Sequence, residues 1–234
     1  MVIRRLLPTP GAVDLERAYA YTDRGSPTPQ VRANMVSAVD GAASGADGLS
    51  GSLSGAGDRA VFAVLRRLAD VVLVGAGTAR AEEYRPAALP IAVVSGRLDL
   101  DLAAPLFAAT EHRTIVVTCS AAPADRLELV GERADVLVCG RERVDLAAAV
   151  RELHGRGLDH ILCEGGPTLL AQVASAGLLD ELCVTIAPAL AAGDGARILS
   201  GEPLVVGPRP GVPGGDLRPA AVAGAAGVVG GGRR

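Results

Sequence analysis

Aromatic residues are scarce in this sequence, which has no tryptophan, three tyrosines and two phenylalanines among its 234 residues. Proteins that bind single-stranded nucleic acid stack bases on aromatic side chains, and little material for such stacking is present. The formal net charge of −3 argues against the broad positive surface that binding to DNA or to an anionic membrane requires. Nucleic-acid and membrane partners are therefore not expected.

Cysteine and histidine patterns typical of metal sites are also missing. No Cys-x-x-Cys and no histidine pair at zinc spacing occurs, so we expect no metal ion. The N-terminus lacks the apolar core of a signal peptide, and no run of about 18 apolar residues predicts a membrane span, so a cytoplasmic location is expected. Four isolated cysteines are expected to be buried thiols in a reducing compartment: Cys119, Cys139, Cys163 and Cys183.

Two common enzyme motifs are excluded. No Gly-Lys-Ser/Thr occurs, which excludes a P-loop. The segment Gly-Ser-Leu-Ser-Gly at 51–55 has leucine at the centre, where the nucleophile elbow of a hydrolase needs serine. None of His112, His154 and His160 lies in a recognisable catalytic triad.

Apolar runs alternate with segments of helical period along most of the chain. Apolar residues make up 49% of the sequence, which predicts a globular protein. Strands are predicted at 31–39, 71–74, 91–95, 114–118, 136–139, 160–163 and 181–187. Helices are predicted from an N-cap at Asp58 to Leu68, and at 123–133, 145–155 and 167–177. This order indicates an α/β protein with a mainly parallel sheet that is covered on both faces.

The domain organisation is predicted to be simple. No internal repeat is visible and no linker divides the chain before about residue 206, so a single domain over residues 1–234, with its core at about 31–206, is favoured. Glycine, proline, alanine and valine dominate residues 207–234. Terminal strands and a frayed tail both remain open for that stretch.

The most informative segment is 161–169, which reads Ile-Leu-Cys-Glu-Gly-Gly-Pro-Thr-Leu. An apolar strand runs into two glycines, which let a ligand approach the main chain, and a proline then suits the first turn of a helix. The free N–H groups and the positive end of the dipole at a helix start attract anions. The segment therefore predicts a phosphate site, and a tight turn without a ligand is the alternative.

A second glycine turn, Gly-Ala-Gly-Thr at 75–78, follows the run 71–74. It lacks the third glycine of the Rossmann fingerprint, because Arg80 stands there. After the next predicted strand, Ser95 and Arg97 supply a hydroxyl and a guanidinium that suit a 2′-phosphate, which favours NADP over NAD. A surface role for Arg97 remains open.

A third glycine-bearing strand end is Asp40-Gly41. Ligands collect beyond the carboxyl ends of parallel strands, so two phosphate-binding turns are expected to hold a dinucleotide and to leave Asp40 for the reacting group. Asp-Gly is also a strong turn pair, which gives Asp40 a structural alternative.

Four segments, in this order, resemble the C-terminal reductase domain of bacterial riboflavin biosynthesis enzymes, a branch of the dihydrofolate-reductase-like fold. They are 34–41, 65–70 with 75–78, 164–169, and 177–182 with 186–188, and the similarity runs from about Val31 to Leu199. The resemblance to these pyrimidine reductases implies a three-layer αβα fold around a central, mainly parallel mixed sheet. It also implies a homodimer.

The resemblance further implies a reaction. Family members use NADPH to reduce the ribose of a ribosylaminopyrimidine 5′-phosphate to a ribityl chain, and hydride passes from nicotinamide C4 to the sugar C1′. A zinc deaminase domain often precedes this reductase, but neither His-x-Glu nor Pro-Cys-x-x-Cys occurs in the sequence. Only the reductive step is therefore expected.

Carried over residue by residue, the resemblance implies three groups of site residues. The expected cofactor-binding residues are Gly75, Gly77, Thr78, Ser95, Arg97, Glu164, Gly165, Gly166, Pro167, Thr168 and Leu169. The expected catalytic residues are Asp40, Asn34 and Glu82. The expected substrate-pocket residues are Ser52 and Ser54.

The sequence departs from the family pattern near the expected substrate. Many members carry lysine where Asn34 stands, and an Asp-x-Pro for which Glu82 is the candidate substitute. Two alternatives therefore stay open. One is reduction of dihydrofolate or another pterin, with Asp40 pairing with the pterin nitrogens, and the other is an NADPH-binding protein without turnover.

Overall fold

A computed structural model of the protein describes residues 4–5, 11–21, 28–108 and 111–203. Nine strands are described: β1 (Arg4–Arg5), β2 (Gly11–Ala12), β3 (Gln30–Ala38), β4 (Val71–Gly75), β5 (Ile91–Val94), β6 (Ile115–Thr118), β7 (Asp135–Val138), β8 (His160–Cys163) and β9 (Glu181–Ala187). Six α-helices are described: α1 (Leu15–Tyr19), α2 (Ala56–Leu68), α3 (Ala76–Ala81), α4 (Ala124–Arg133), α5 (Leu146–Gly155) and α6 (Pro167–Ser175). The predicted terminal strands or tail at 207–234 lie outside the described residues.

Strands β3 to β9 form one seven-stranded sheet in the order β7-β6-β5-β4-β8-β3-β9. Each of the six pairings that the described residues make in this sheet is parallel. The central strands are almost wholly buried because they are covered on both faces, which explains their continuous Val, Leu and Ile runs. The predicted α/β class and mainly parallel sheet are confirmed, and an antiparallel pairing is described only between β1 and β2.

Helices cover both faces of the sheet and give three layers. On one face, α5 and α6 bury Leu153 and Leu170 against β3, β4 and β8. On the other face, α2 packs Leu65 on Leu162 of β8, and α4 packs Val130 over β4, β5 and β6. The alternation of side chains along each strand sends successive residues into these two cores.

The strand order places the predicted ligand loops in one row. Strands β5, β4, β8 and β3 are neighbours, and their carboxyl ends carry Ser95, the 75–78 turn, the 164–169 segment and Asp40 respectively. Three steps between adjacent strands span about 14 Å. An extended ligand that lies along this edge can therefore contact all four loops.

The structure corrects the predicted start of α2. The N-cap is Gly55, so Asp58 is the third residue of the helix and not its cap. The Asp58 carboxylate accepts hydrogen bonds from two side-chain hydroxyls instead of from helix amides. The sequence predicts only a glycine turn at 75–78, whereas in the structure Gly75 caps helix α3, which begins at Ala76.

All four cysteines are buried and free of disulfides, as expected. Within the described ranges, no helix has both the length and the apolar composition needed to cross a bilayer. Over the same ranges, His, Cys, Asp and Glu side chains form no group of three that would suit a metal ion.

Candidate active site

A cavity of about 650 Å³ opens at the carboxyl edge of the sheet, a size typical of small-molecule sites. Helix α2, the start of α3 and the loops after β3 and β8 surround it. Eight of the predicted site residues line it: Asn34, Ser54, Gly77, Thr78, Glu82, Glu164, Gly166 and Pro167.

Helix α2 supplies one wall of the cavity from residues spaced four apart. Asp58, Phe62 and Arg66 all line the cavity, and this spacing places them on one face of the helix. They lie beside the apolar face formed by Val61 and Leu65 that packs on the sheet. Sequence reasoning used the apolar face to predict the helix but missed these three residues, although their regular spacing was visible.

The Asp58 carboxylate is buried and bound by two hydroxyl groups. Ser54 Oγ donates to Oδ2 and Thr185 Oγ1 donates to Oδ1, each at 2.6 Å. Thr185 lies on β9, opposite Val36 of β3, and so connects α2 to the edge of the sheet. Asp58 is thereby fixed in one orientation at the cavity wall.

Asn34 lies on β3 and reaches the same cavity. Its residue surface is 9% exposed, and its Oδ1 atom has no hydrogen-bond partner among the described residues. A buried polar atom without a partner costs about 1–3 kcal/mol, which makes Asn34 Oδ1 a candidate contact for a ligand donor.

Glu164 is held by a buried polar cluster. Arg66 forms a bidentate ion pair with Glu164. Its Nε donates to Oε1 and its Nη2 donates to Oε2, each at 2.7 Å. The Tyr84 hydroxyl also donates to Glu164 Oε2 at 2.5 Å. Burial raises the pKa of Tyr84, and the Glu164 charge raises it further, so the phenol stays protonated as a donor. Arg66 and Tyr84 are site residues that sequence reasoning missed.

The two phosphate-type turns pack directly on each other. The Gly75 amide donates to the Gly165 carbonyl at 2.8 Å, and the Gly165–Gly166 peptide bond is cis. Gly165 has φ +77°, which favours glycine, and a Cβ there would lie 3.1 Å from Met35 Sδ. A Cβ at Gly166 would collide with Thr78 Oγ1. The positive φ at Gly165 and the Thr78 contact at Gly166 therefore favour glycine at both positions without any ligand.

Helix α6 begins at this contact, with Gly166 as N-cap and Pro167 in its first turn. Thr168 is exposed and Leu169 is buried. The amides of a first helical turn have no partner within their helix, so the start of α6 offers N–H groups to an anion. Ser95 lies farther along the same edge, buried at the end of β5, and Arg97 is exposed next to it.

Three predicted residues hold loops in place. Glu82 Oε1 accepts from the Ser50 amide at 2.8 Å at the cavity edge. The exposed Ser52 donates to the Leu49 carbonyl at 2.9 Å and is not part of the cavity lining. Asp40 is exposed and also lies outside that lining, and its Oδ2 accepts from the amides of Ala191 and Ala192 at 2.9 and 2.8 Å.

Together, the parallel sheet, the paired glycine turns and the polar cavity define an α/β protein of the dihydrofolate-reductase-like class. The sequence matches the family described as the RibD C-terminal domain over residues 29–210. A 2,5-diamino-6-ribosylamino-4(3H)-pyrimidinone 5′-phosphate reductase from Methanothermobacter thermautotrophicus is 32% identical over 180 residues, which cover 73% of this chain and 83% of the relative. The reductase of the same name from Archaeoglobus fulgidus is 30% identical over 193 residues, covering 74% of this chain and 87% of the relative.

A solved structure agrees with these relatives. The pyrimidine reductase-like protein from Corynebacterium diphtheriae superposes with a TM-score of 0.71 at 28% identity, covering 81% of this chain and 88% of the other. The chain belongs to the RibD C-terminal domain family, the pyrimidine reductases, which are oxidoreductases of riboflavin biosynthesis. The predicted family and enzyme class are thereby confirmed.

Proposed function

We propose that this protein is an NADPH-dependent reductase that acts on a ribosylaminopyrimidine 5′-phosphate. The relatives at 32% and 30% identity are named as reductases of such a compound. The observation that carries the proposal is the contact between the two glycine turns, in which the Gly75 amide donates to the Gly165 carbonyl. This contact brings the starts of α3 and α6 side by side at the mouth of the cavity.

The paired helix starts suit a pyrophosphate, because each supplies N–H groups and a positive dipole end. One side of this site consists of Gly75, Gly77 and Thr78. The other side consists of Gly165, Gly166, Pro167, Thr168 and Leu169. Glu164 supports the site indirectly, since both of its oxygens already bind Arg66.

The strand order assigns the two ends of the cofactor to opposite ends of the row of loops. Ser95 and Arg97 stand one strand beyond the 75–78 turn and supply a hydroxyl and a guanidinium for the adenosine 2′-phosphate. Asn34 stands on the opposite side, in the cavity, where its Oδ1 can accept from the nicotinamide amide or from the substrate. A dinucleotide that lies along this row of about 14 Å would contact all four loops.

When bound, reduced nicotinamide supplies a hydride to C1′ of the opened ribose, and a proton completes the reduction to the ribityl chain. The contribution of the chain is to hold the reacting atoms at near-attack distance and to exclude water. Ser54 and Asp58 shape the substrate side of the cavity. Glu82 holds the 50–52 loop over it through the Ser50 amide.

The first test compares cofactors. NADPH should raise the melting temperature more than NADH at equal concentration, because only NADPH carries the 2′-phosphate. Equal shifts would contradict the assignment of Ser95 and Arg97. NADPH oxidation is then followed with the ribosylaminopyrimidine phosphate and with dihydrofolate.

For the pterin alternative, Asp58 is a better-placed carboxylate than Asp40. Asp40 is exposed outside the cavity lining, whereas Asp58 is buried within it. Faster turnover of dihydrofolate would favour the pterin reading. Turnover of neither substrate, with NADPH bound, would favour a binding protein without turnover.

We also propose a cytoplasmic homodimer. The four buried cysteines are free thiols, which fits a reducing compartment. The dimer is proposed from the family resemblance, and sedimentation tests it.

A further inference from the structure

One wall of the cavity presents hydrogen-bond acceptors. The Asp58 carboxylate, with 8% of its residue surface exposed, and Asn34 Oδ1, which has no partner in the described part of the chain, both belong to it. The hydroxyls of Ser54 and Thr185 donate to Asp58, so their protons are not available to a ligand. A ligand with N–H donors can therefore form more hydrogen bonds with this wall than a ligand with acceptors.

The two Asp58 oxygens each keep one acceptor position. A carboxylate has about four such positions, two on each oxygen. Ser54 uses one on Oδ2 and Thr185 uses one on Oδ1. Since no other described residue donates to Asp58, one position on each oxygen remains, and two parallel N–H donors can fit these two positions.

The two arginines that flank Asp58 on α2, Arg59 and Arg66, are engaged elsewhere. The sequence has no lysine, so its permanent side-chain cations are arginines. Arg66 is paired with Glu164, and Arg59 donates to the Ser54 carbonyl at 2.7 Å. No ion pair to Asp58 is formed among the residues that the structure describes. A buried carboxylate without a cation is stabilised by strong donors, and a ligand with two of them supplies what the protein does not.

We propose that Asp58 recognises the pyrimidine ring through its N3–H and 2-amino groups and selects a 2-amino-4-oxopyrimidine over a uracil. This inference rests on the proposed function and specifies its substrate. In the 2-amino ring the two groups are adjacent donors. In the uracil ring a carbonyl oxygen replaces the 2-amino group. This oxygen and the facing carboxylate oxygen are both acceptors, and such a mismatch in a buried site greatly weakens binding.

The test uses two ring analogues, 2,5,6-triamino-4(3H)-pyrimidinone and 5,6-diaminouracil, which differ in the group at C2 and in the hydrogen that uracil carries on N1. Their dissociation constants are measured by calorimetry on the NADPH-loaded protein. The wild type should bind the triamino ring about 100-fold more tightly than the uracil. In the triamino ring the 2-amino group donates to Asp58, whereas the C2 oxygen of the uracil cannot. Equal binding of the two rings by the wild type would overturn the proposal without any variant.

The variant Asp58→Asn tests whether Asp58 causes the preference between the two rings. An amide offers one acceptor and one donor, which match N3–H and the C2 oxygen of uracil, so the preference should fall by about 100-fold or reverse. Asp125→Asn makes the same change in the first turn of α4, on an exposed residue, and should leave the preference unchanged. A preference that Asp58→Asn leaves intact in a folded protein would refute the role of Asp58.

Turnover separates this proposal from the proposed function. The ratio of kcat/KM for the 2,5-diaminopyrimidinone ribosyl phosphate to that for the corresponding aminouracil should follow the ring preference. If neither compound is reduced, the proposed function fails, while the ring-binding result still decides the role of Asp58. If both are reduced equally, the function stands and the selection is wrong.

Discussion

A substitution at Gly77 can impair ligand binding without disturbing the fold. It lines the cavity near the start of α3, and a Cβ built on it meets nothing within 4 Å. Gly77→Val should therefore keep the melting temperature within a few degrees but weaken NADPH binding at least about 10-fold, because the side chain occupies space meant for the phosphates.

Gly131 in α4 supplies the matched control, since its Cβ also meets open space. Gly131→Val should leave the dissociation constant of NADPH unchanged. Equal affinities for NADPH in wild type and Gly77→Val would show that the cofactor does not use the 75–78 turn. Gly166→Val is a poorer choice, because the new side chain would collide with Thr78 even without a ligand.

Asp40 illustrates a residue whose type and position both favoured chemistry but whose contacts are with the main chain. The amide of Ala192, above all, holds the pKa of its carboxyl below the ordinary value. The charged form therefore stabilises the fold at neutral pH, and this contribution is lost as the pH falls through the lowered pKa. Asp40→Asn should lower the melting temperature at neutral pH, and the difference from wild type should vanish in acid.

The same variant separates a loop role from a catalytic one. Asp40→Asn should keep kcat within about threefold of wild type, since Asp40 lies outside the cavity lining. A loss of kcat by several orders of magnitude with unchanged stability would mean that Asp40 takes part in the reaction.

At the residue scale, the sequence predicted glycine positions better than charged contacts. Gly165 and Gly166 could be predicted because only glycine satisfies their conformation and packing. Asp58 and Arg66 were missed because their partners, Thr185 and Glu164, lie more than 90 positions away in sequence, at separations of 127 and 98. Such contacts exist only once the fold has formed.

At the scale of elements, the link between α2 and the segment after β8 depends on Arg66. The Glu164 side chain is 2% exposed, so loss of its partner leaves a buried carboxylate unpaired. Arg66→Leu should destabilise the protein by about 3 kcal/mol in urea unfolding and weaken NADPH binding, because Glu164 holds the phosphate turn.

Arg67 is the adjacent control. It pairs with Glu16, but both side chains are more than half exposed, at 56% and 63%. Arg67→Leu should change the free energy of unfolding by less than about 1 kcal/mol. Similar losses in both variants would mean that the Glu164 cluster contributes no more than a surface ion pair.

The elements of the large sheet and its longer helices were predicted well, whereas β1, β2, α1 and α3 were not predicted. Strands β3 to β9 and helices α4, α5 and α6 fall within one or two residues of their predicted bounds, because their apolar patterns reflect burial against one sheet. Helix α3 has six residues, too few to show a period, and its Gly-Ala-Gly start is typical of a turn.

For the whole molecule, the sequence predicted the class of fold but not the order of strands. Alternating strands and helices indicate a parallel sheet, yet nothing local specifies that β8 lies between β4 and β3. That order brings the 75–78 and 164–169 segments together and so assembles the candidate site. Family resemblance, not periodicity, supplied this arrangement in advance.

The assembly prediction belongs to the same scale. Sedimentation equilibrium at micromolar concentration should give twice the chain mass of 23.6 kDa. A single species of 23.6 kDa across the concentration range would contradict the homodimer.

Hydride transfer to the sugar is the central claim, and an isotope label tests it most directly. The protein is incubated with the ribosylaminopyrimidine phosphate and NADPH that carries deuterium in both positions at nicotinamide C4. The account predicts one deuterium at C1′ of the ribityl product, detected by mass spectrometry and NMR. A reduced product without deuterium at C1′, or no reduced product while NADPH remains bound, would contradict it.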